Sequence, residues 1–596
     1  MALVAVLVGC YYVVEVRAAG LPFYFGYDLG GYYNYLGRAF AAGRLYLPIE
    51  PSPQLLAQPN PWDPSIDERY KMHDMALYNG RYYLYHGAGP AWLVFAPWRL
   101  IAKYDLPENA ALPLFCFGGF LFLCGALLEV LNQANVSTDP FVTAAMIMAL
   151  GLCQCVPYLL NRVWVYEVAI GAGFFCLSGA MYCLSRGVRP PGSAAWLRGA
   201  GLMFGLAIAC RPHLALAGAI AFVAIALSGA GVRRLAAFLS PLTLVGAMVA
   251  IYNYERFGNP FEFGIRYLLS GPNQNRIQLS IRNVLPGLYH LLFSPPEFGA
   301  VFPWVRQIMH AWPPAPREYF LEPTVGALAL APFIAAAWLV SSTRRLAKPT
   351  RLVLWTATLS STAILLFITA TGFTTQRYTV DFLPLAVFAA LANLGIYLDA
   401  LNGVKRVMLT AATLSLIAYS VVANLALGLT GPYDDMVRNR PARYLQVASW
   451  FSPVERFRPV LLPSLAVEFK AEFHPQPDGF HEPLITFEHP AYRHFIYVEH
   501  GRERLRIISQ SKTSTISCEI AEPGAKVIGV RVTYAPDSGK LTTFIDGEEL
   551  LAHDIGTLVA APAQVIVGEN RIDPSVSVRQ FTGRLTPPSR ESARFW

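Results

Sequence analysis

Long uncharged apolar runs constrain this chain more than any other feature. Asn109 to Glu129 is apolar apart from its ends, and Val353 to Thr371 and Val407 to Leu429 carry no charge at all. Each is close to the ~20 residues a helix needs to cross a bilayer. In lipid, a helix of this length satisfies every backbone polar group within itself. Composition points the same way: 14% of the 596 residues are charged, against about 25% in an average soluble domain. The net charge of +8 is spread over short basic clusters between the apolar runs, where it sets topology rather than binding nucleic acid.

Eleven spans are expected, over roughly 1–16, 109–131, 139–156, 165–184, 199–211, 213–229, 234–253, 323–341, 352–371, 380–399 and 406–429. The first run lacks a basic n-region and a small-residue cleavage site, and reads as a retained helix rather than a signal peptide. With the N-terminus inside, the inner loops carry Arg186, Arg189 and Arg198, then Arg233 and Arg234, then Arg344, Arg345, Lys348 and Arg351, then Lys405 and Arg406. One topology thus places the most basic short loops on one side. It requires 199–229 to be a short-limbed hairpin turning near Arg211-Pro212. It also requires the apolar segment 88–103, with two prolines, to be a juxtamembrane or re-entrant helix on the outer side.

Three large segments then lie outside: 17–87, extended through segment 88–103 to residue 108; 254–322; and the region from about 430. In that last region 431–459 reads as a linker and 460–596 as a separate domain. The alternation in Leu465-Ala-Val-Glu-Phe-Lys-Ala-Glu-Phe473 has the period of a half-buried strand. Asp546-Gly547 between two apolar runs is a hairpin signal. Further strands are expected over 482–489, 494–500, 503–509, 526–534, 563–568 and 577–585, which suggests a β-sandwich or jelly roll. The nine cysteines show no metal spacing and no disulfide framework; Cys153 and Cys155, in an apolar helix, read as small hydrophobes.

The same topology gathers the unusual polar residues on the outer side. Asp28 follows the first helix, His73-Asp74 lies in the first outer loop, and Tyr166-Glu167 between the third and fourth spans. Arg211 and His213 sit at the hairpin turn, Glu255, Arg256, Arg266 and Tyr267 follow the seventh span, and Arg377, Tyr378 and Asp381 open the tenth. Ionisable groups at membrane depth are expensive and mark functional sites. Snorkelling arginines and interfacial tyrosines are the ordinary explanation for any one of them, but snorkelling would populate both faces.

These stretches resemble the GT-C superfamily of membrane glycosyltransferases, which includes protein O-mannosyltransferase-like and aminoarabinose-transferase-like enzymes. The resemblance covers roughly 1–430. It rests on a first helix followed by a large outer loop with an early acid, Asp28 in YDLGGYYNYLGRAFAAGRLYLP. The loop ends in HDMALYNGRYYLYHGAGPAWLVFAP; Arg211-Pro212, YNYERFGNPFEFGIRY at 252–267 and QRYTVDFLP at 376–384 follow in order. The implied fold is a polytopic α-helical membrane protein of about eleven transmembrane helices with a C-terminal all-β sandwich. The implied reaction is transfer of a sugar from a polyprenyl-phosphate-linked donor to a glycan, lipid or protein acceptor on the outer face of the membrane, by an inverting mechanism. Asp28 is then the candidate base, with Asp74 a second acid. Arg211, Arg266 and Arg377 are candidates to bind the donor phosphate, because the guanidinium fork grips phosphate oxygens in pairs. His73, Glu167, Tyr267 and Tyr378 are candidates for substrate contacts.

The sequence also departs from the superfamily pattern. Leu29 follows Asp28 where mannosyltransferases have an Asp-Glu pair, and the outer loop between the third and fourth spans has Tyr166-Glu167 rather than Asp-x-Asp. These departures weigh against a metal-dependent mechanism; a divalent metal stays open, and no cofactor or metal ligand is assigned. The tail, over about 460–590, resembles concanavalin-like or laminin-G-like sandwiches. Bacterial arabinofuranosyltransferases likewise join such a domain to a GT-C core, which suggests glycan binding; a structural or interaction role stays open. The expected location is a bacterial inner membrane, with the N-terminus cytoplasmic and the tail periplasmic or extracellular. A transporter, flippase or polymerase of lipid-linked glycans is the competing reading. Transporters often show internal repeats and midplane polar sites, and no repeat is found.

Overall fold

The computed structural model describes residues 1–19, 23–63, 66, 68–189, 192–269, 279–298, 302–307, 313, 316, 319–342, 346–431, 444, 446–451, 465–489, 492–502, 504–511, 514–521, 527–535, 540–555, 564–570 and 576–586. The chain forms two compact units, one of residues 1–299 with 303–435 and one of 300–302 with 436–596.

The first unit is helical. α1 (Ala2–Ala19) leads to the outer-loop helix α2 (Tyr32–Ala41). The principal helices that follow are α3 (Glu108–Gln133), α4 (Pro140–Leu152), α5 (Val156–Asn161), α6 (Val165–Val188), α7 (Ala194–Cys210), α8 (Ala215–Leu227), α9 (Val232–Phe257), α10 (Lys348–Ala370), α11 (Thr379–Ala400) and α12 (Gly403–Thr430). Among the described residues six helices are long and apolar enough to cross a membrane, and four more are apolar but shorter. The protein is a polytopic integral membrane protein with a C-terminal all-β unit.

Burial ranks the helices. The apolar windows of α6 and α11 are each 89% buried, whereas that of α9 is 28% buried and so presents most of its surface to lipid. α3, α6, α7 and α9 pack in series, and small residues allow the close approach, as is usual where lipid removes the hydrophobic drive for helix association. Gly201 of α7 lies against the Phe238 carbonyl of α9, where a Cβ would collide with it.

Two expected spans take a different form. The segment over 139–156 divides into α4 and α5, because Pro157 cannot continue a helical ladder. Cys155 at the break adopts a left-handed φ of 64°, and its N–H donates to Asn424 Oδ1 of α12 at 3.0 Å. The hairpin turns where expected: one 3₁₀ turn, Pro212–Leu214, separates α7 from α8, whose limbs of 17 and 13 residues span about 26 and 20 Å at 1.5 Å per residue. The span near 323–341 is a short helix Ala327–Leu330 followed by a 3₁₀ helix Pro332–Ser342. This is long for a conformation with poor hydrogen-bond geometry. Neighbouring helices support it: Asn393 Nδ2 donates to the Ala336 and Ala337 carbonyls at 2.9 and 3.2 Å, and Thr358 Oγ1 donates to Ala337 at 2.9 Å.

Segment 88–103 is helical, one π-turn Ala91–Phe95 running into Ala96–Ala102. Ahead of it, β1 (Ala76–Tyr78) and β2 (Arg81–Tyr83) form a hairpin through Asn79-Gly80, both at positive φ, as a two-residue turn requires.

The second unit is a sandwich of two five-stranded sheets. Its strands are β3 (Leu465–Glu472), β4 (His481–His489), β5 (Tyr492–His500), β6 (Arg504–Gln510), β7 (Thr515–Ala521), β8 (Val527–Ala535), β9 (Lys540–Ile545), β10 (Glu548–Asp554), β11 (Gln564–Val567) and β12 (Arg584–Thr586). The sheet orders are β7-β6-β5-β4-β11 and β10-β9-β8-β3-β12. Alternating residues such as Val467, Phe469, Val498, Ile507, Val530 and Val532 fill the space between them. Asp546-Gly547 makes the expected hairpin turn, at φ 51° and 91°. The expected strand over 577–585 is confined to Arg584–Thr586. Before it the chain turns to satisfy a buried acid: the N–H and Oγ1 of Thr582 donate to Glu482 Oε2 at 2.9 and 2.7 Å.

Candidate functional site

Five separated pieces of the helical unit meet around two arginines. The turn between α7 and α8 supplies Arg211 and His213. The 3₁₀ turn Gln376–Tyr378 that opens α11 supplies Arg377 and Tyr378. The first turn of α6 supplies Tyr166 and Glu167, the stretch after β2 supplies Tyr85 and His86, and residues 320–325 supply Glu322.

The hairpin turn owes its shape to Pro212, which ends α7 and leaves Arg211 extended at φ −146°. Arg211 Nη2 lies 2.7 Å from Asp381 Oδ2, and His213 Nε2 lies 3.3 Å from the same oxygen. The His213 ring stacks on Phe367. Arg377 Nη1 donates to Glu322 Oε1 and Oε2 at 3.3 and 3.2 Å, and its Nε lies 4.0 Å from Glu167 Oε1. Both guanidinium groups lie over the Tyr378 ring, Arg211 at 5.2 Å and Arg377 at 5.9 Å, and Arg377 also covers Tyr166 at 4.8 Å. Charges this far from water are retained only when paired, and the three acids provide the pairing.

Glu322 reaches Arg377 because its strand is held in place. Phe320-Leu321 pairs in parallel with Phe373-Thr374, and the Glu322 N–H donates to the Thr374 carbonyl at 2.9 Å. Gln376 closes the junction: its Oε1 accepts from the Val325 N–H at 2.6 Å and its Nε2 donates to the Val325 carbonyl at 3.1 Å.

His86 lies edge-on to Tyr166 at 5.1 Å. Burial holds it well below the ordinary histidine value, and Arg211 and Arg377 push the same way, so it faces the arginines as a neutral ring. Burial pushes the Tyr85 hydroxyl well above the ordinary tyrosine value, with Asp74 and Tyr378 adding to it and Arg377 and Arg211 opposing. Asp74 is buried and holds a left-handed φ of 55°, a conformation that for a non-glycine residue is seen most with Asn and Asp.

The structure thus brings together Glu167, Arg211, Arg377 and Tyr378. Asp74 is buried in the first outer loop, 3.5 Å from the half-exposed His73. Three expected members lie elsewhere. Asp28 is 57% exposed and ion-paired with Arg99, not with the arginine pair. It belongs to a tie in which Arg38 and Asp105 hold the backbone at Leu29: Arg38 Nη2 donates to the Leu29 carbonyl at 2.7 Å, and the Leu29 N–H to Asp105 Oδ2 at 2.8 Å. The bond from Arg99 holds the Asp28 carboxyl below its usual value. Arg266 is 80% exposed and pairs with Glu262 at 3.5 Å. Tyr267 packs in an aromatic cluster with Tyr78 and Phe257, at 4.6 and 5.6 Å, where Trp62 Nε1 donates to its carbonyl at 3.1 Å.

Glu322 and His86 were not singled out from the sequence. Glu322 carries no local signal, since its role comes from a parallel pairing with residues some fifty positions on. His86 sits in the quoted run RYYLYHGAGP, where the Asn79-Gly80 turn just upstream was the available clue. Among the described residues no group of three or more His, Cys, Asp or Glu is placed to hold a metal ion.

No family model matches the sequence, and no curated protein matches it. Among solved structures the chain is similar to ArnT from Cupriavidus metallidurans bound to undecaprenyl phosphate, with 14% identity and a TM-score of 0.40 over 76% of this chain and 80% of that one. It is similar to the Archaeoglobus fulgidus oligosaccharyltransferase in the apo form, with 14% identity and a TM-score of 0.43 over 75% of this chain and 59% of that one. ArnT from C. metallidurans in the apo state gives 13% identity and a TM-score of 0.38, over 76% and 80%.

Proposed function

We propose that this protein is a membrane glycosyltransferase that moves a sugar from a polyprenyl-phosphate-linked donor to a hydroxyl of a glycan, lipid or protein acceptor on the outer face of a bacterial inner membrane. The observation that carries the reading is the convergence of Arg211 and Arg377 on the Tyr378 ring, at the ends of helices whose apolar flanks can keep a polyprenyl chain in lipid.

In this reading the anomeric carbon–phosphate oxygen bond breaks, its electron pair stays on the phosphate, and the acceptor oxygen bonds to the anomeric carbon from the opposite face. Negative charge develops on the departing phosphate, and the two guanidinium groups stabilise it there. Asp381 and Glu322 hold those groups in place before the donor arrives. The acceptor proton goes to a carboxylate. Asp74 is assigned this role as the buried acid of the first outer loop. A second assignment, Asp28, has its own support: that carboxyl is open to solvent and held ionised by Arg99. In this reading the sandwich unit binds the acceptor.

The test is release of free polyprenyl phosphate from a polyprenyl-phosphate hexose, with the full chain in lipid nanodiscs. Arg211→Ala and Arg377→Ala should abolish release while the wild type turns over. A wild type that moves the intact donor across a bilayer without cleaving it would replace this reading with a flippase.

A further inference from the structure

Two histidines stand where the sandwich's alternation calls for apolar side chains. His494 of β5 shares the inward parity of Ile496 and Val498, and His553 of β10 that of Leu551. Both are buried, and so is Ser509 of β6 between them. They belong to different sheets, at the edge where β7 of one faces β10 of the other. A chain of hydrogen bonds crosses the gap. His494 Nε2 is 2.8 Å from Ser509 Oγ, Ser509 Oγ is 3.0 Å from His553 Nδ1, and His553 Nε2 is 2.6 Å from Ser514 Oγ. Ser514 Oγ is 3.0 Å from Ser511 Oγ. The two imidazole rings are 5.1 Å apart.

The direction of the chain follows from its blind end. His494 Nδ1 is buried with no hydrogen-bond partner among the described residues. A buried N–H without an acceptor costs more than a buried lone pair, so the proton of His494 sits on Nε2 and donates to Ser509. Ser509 then donates to His553 Nδ1, and His553 Nε2–H donates to Ser514. In this direction His553 is a donor to Ser514, so the pair is not a nucleophile and its base.

We infer that this chain latches the two sheets together while both histidines are neutral, and that acidifying the medium around the sandwich releases the latch at β10. A proton added to His494 lands on the buried Nδ1, which has no acceptor. A proton added to His553 places N–H groups on both sides of Ser509, whose own hydroxyl then has nowhere to donate. Two charged rings at this separation also repel.

The surrounding groups do not offset this. Burial pulls His494 down to about 3, with His553 acting the same way. Burial lowers His553 too, opposed only by Asp554, which sits across the ladder from Lys540. Among the described residues, the other charged residues nearby, Glu499, Arg504, Arg506 and Glu519, pair with one another on the exposed face. Because the folded values lie below the ordinary histidine value of about 6.5, the stabilisation is complete above that pH and is lost as pH falls below it.

Amide hydrogen exchange on the full chain in nanodiscs, corrected for intrinsic rates, tests the latch. Between pH 7.5 and 5, exchange of β10 (Glu548–Asp554) should rise by up to about thirtyfold, the change that His494 alone supplies by linkage. Glu482 does not confound this window. Burial raises its carboxyl, but bonds from His500 and Thr582 outweigh it and leave it below the ordinary value, so its protonation belongs to lower pH. The double variant His494→Gln/His553→Gln should lose the dependence. Wild-type exchange that is flat from pH 7.5 to 5, or a dependence that survives in the double variant, would overturn the inference. If the double variant does not fold, the wild-type profile still decides.

Discussion

At the residue scale, the distinction that matters is between arginines held in the site and arginines that merely line the membrane surface. Arg377 is buried against Glu322, Glu167 and two aromatic rings, while Arg266 points into solvent. Lysine keeps the charge but loses the planar fork. Arg377→Lys should therefore lower turnover at least about tenfold, a barrier change of ~1.4 kcal/mol, whereas Arg266→Ala should leave it within about twofold. Equal effects in a steady-state assay would remove Arg377 from the phosphate site. The two acids divide in the same way. Asp74→Asn should cost about a hundredfold or more, the scale of a general base, and Asp28→Asn much less. The reverse order would move the base to the exposed acid beside Arg99. The sequence assigned the nine candidates different roles but could not show which are buried together; burial separates Asp74 from Asp28, and burial and partners separate Glu167, Arg211, Arg377 and Tyr378 from Arg266 and Tyr267.

At the scale of elements, the site depends on how closely the segment after β2 can approach the end of α7. A Cβ on Gly87 would run into the carbonyls of Ala209 and Cys210, and one on Gly89 into Cys210. Tyr33 of α2 fixes the same segment, its hydroxyl donating to the Gly87 carbonyl at 3.1 Å. Gly87→Ala is expected to destabilise the helical unit by about 1–3 kcal/mol, the usual range for overpacking against backbone that cannot move, and to displace His86 from the arginines. A thermal unfolding midpoint equal to wild type in detergent would show that the approach is looser than this. Apolar length located the long apolar helices, because a helix in lipid must satisfy its backbone within itself. It did not show that one segment breaks at Cys155 or that another is 3₁₀, since those outcomes depend on side chains such as Asn424 and Asn393 from distant helices.

For the whole molecule, the positive-inside pattern makes a prediction that needs no side-chain detail. With Arg186, Arg189, Arg198, Arg233, Arg234, Lys405 and Arg406 on the cytoplasmic side, a reporter fused after Trp596 should register outside the cytoplasm, by alkaline phosphatase activity or by labelling with an impermeant reagent. A cytoplasmic signal would separate the sandwich from the arginine cluster by the full bilayer and end its role in presenting an acceptor.

The sequence by itself determined the solvent each part of the chain must accept. Uncharged runs of bilayer length have to be helices in lipid, and period-two alternation after residue 460 has to make sheets with one buried face. It also led to the expectation that the unusual polar residues near helix ends share one side, because topology follows from basic loops that are local in sequence. Only the tertiary structure decided which of those residues share a site. Pairing a charge is a property of distance: Glu322 reaches Arg377 through a parallel strand pair, and Asp381 reaches Arg211 across the bundle. No local pattern carries either distance.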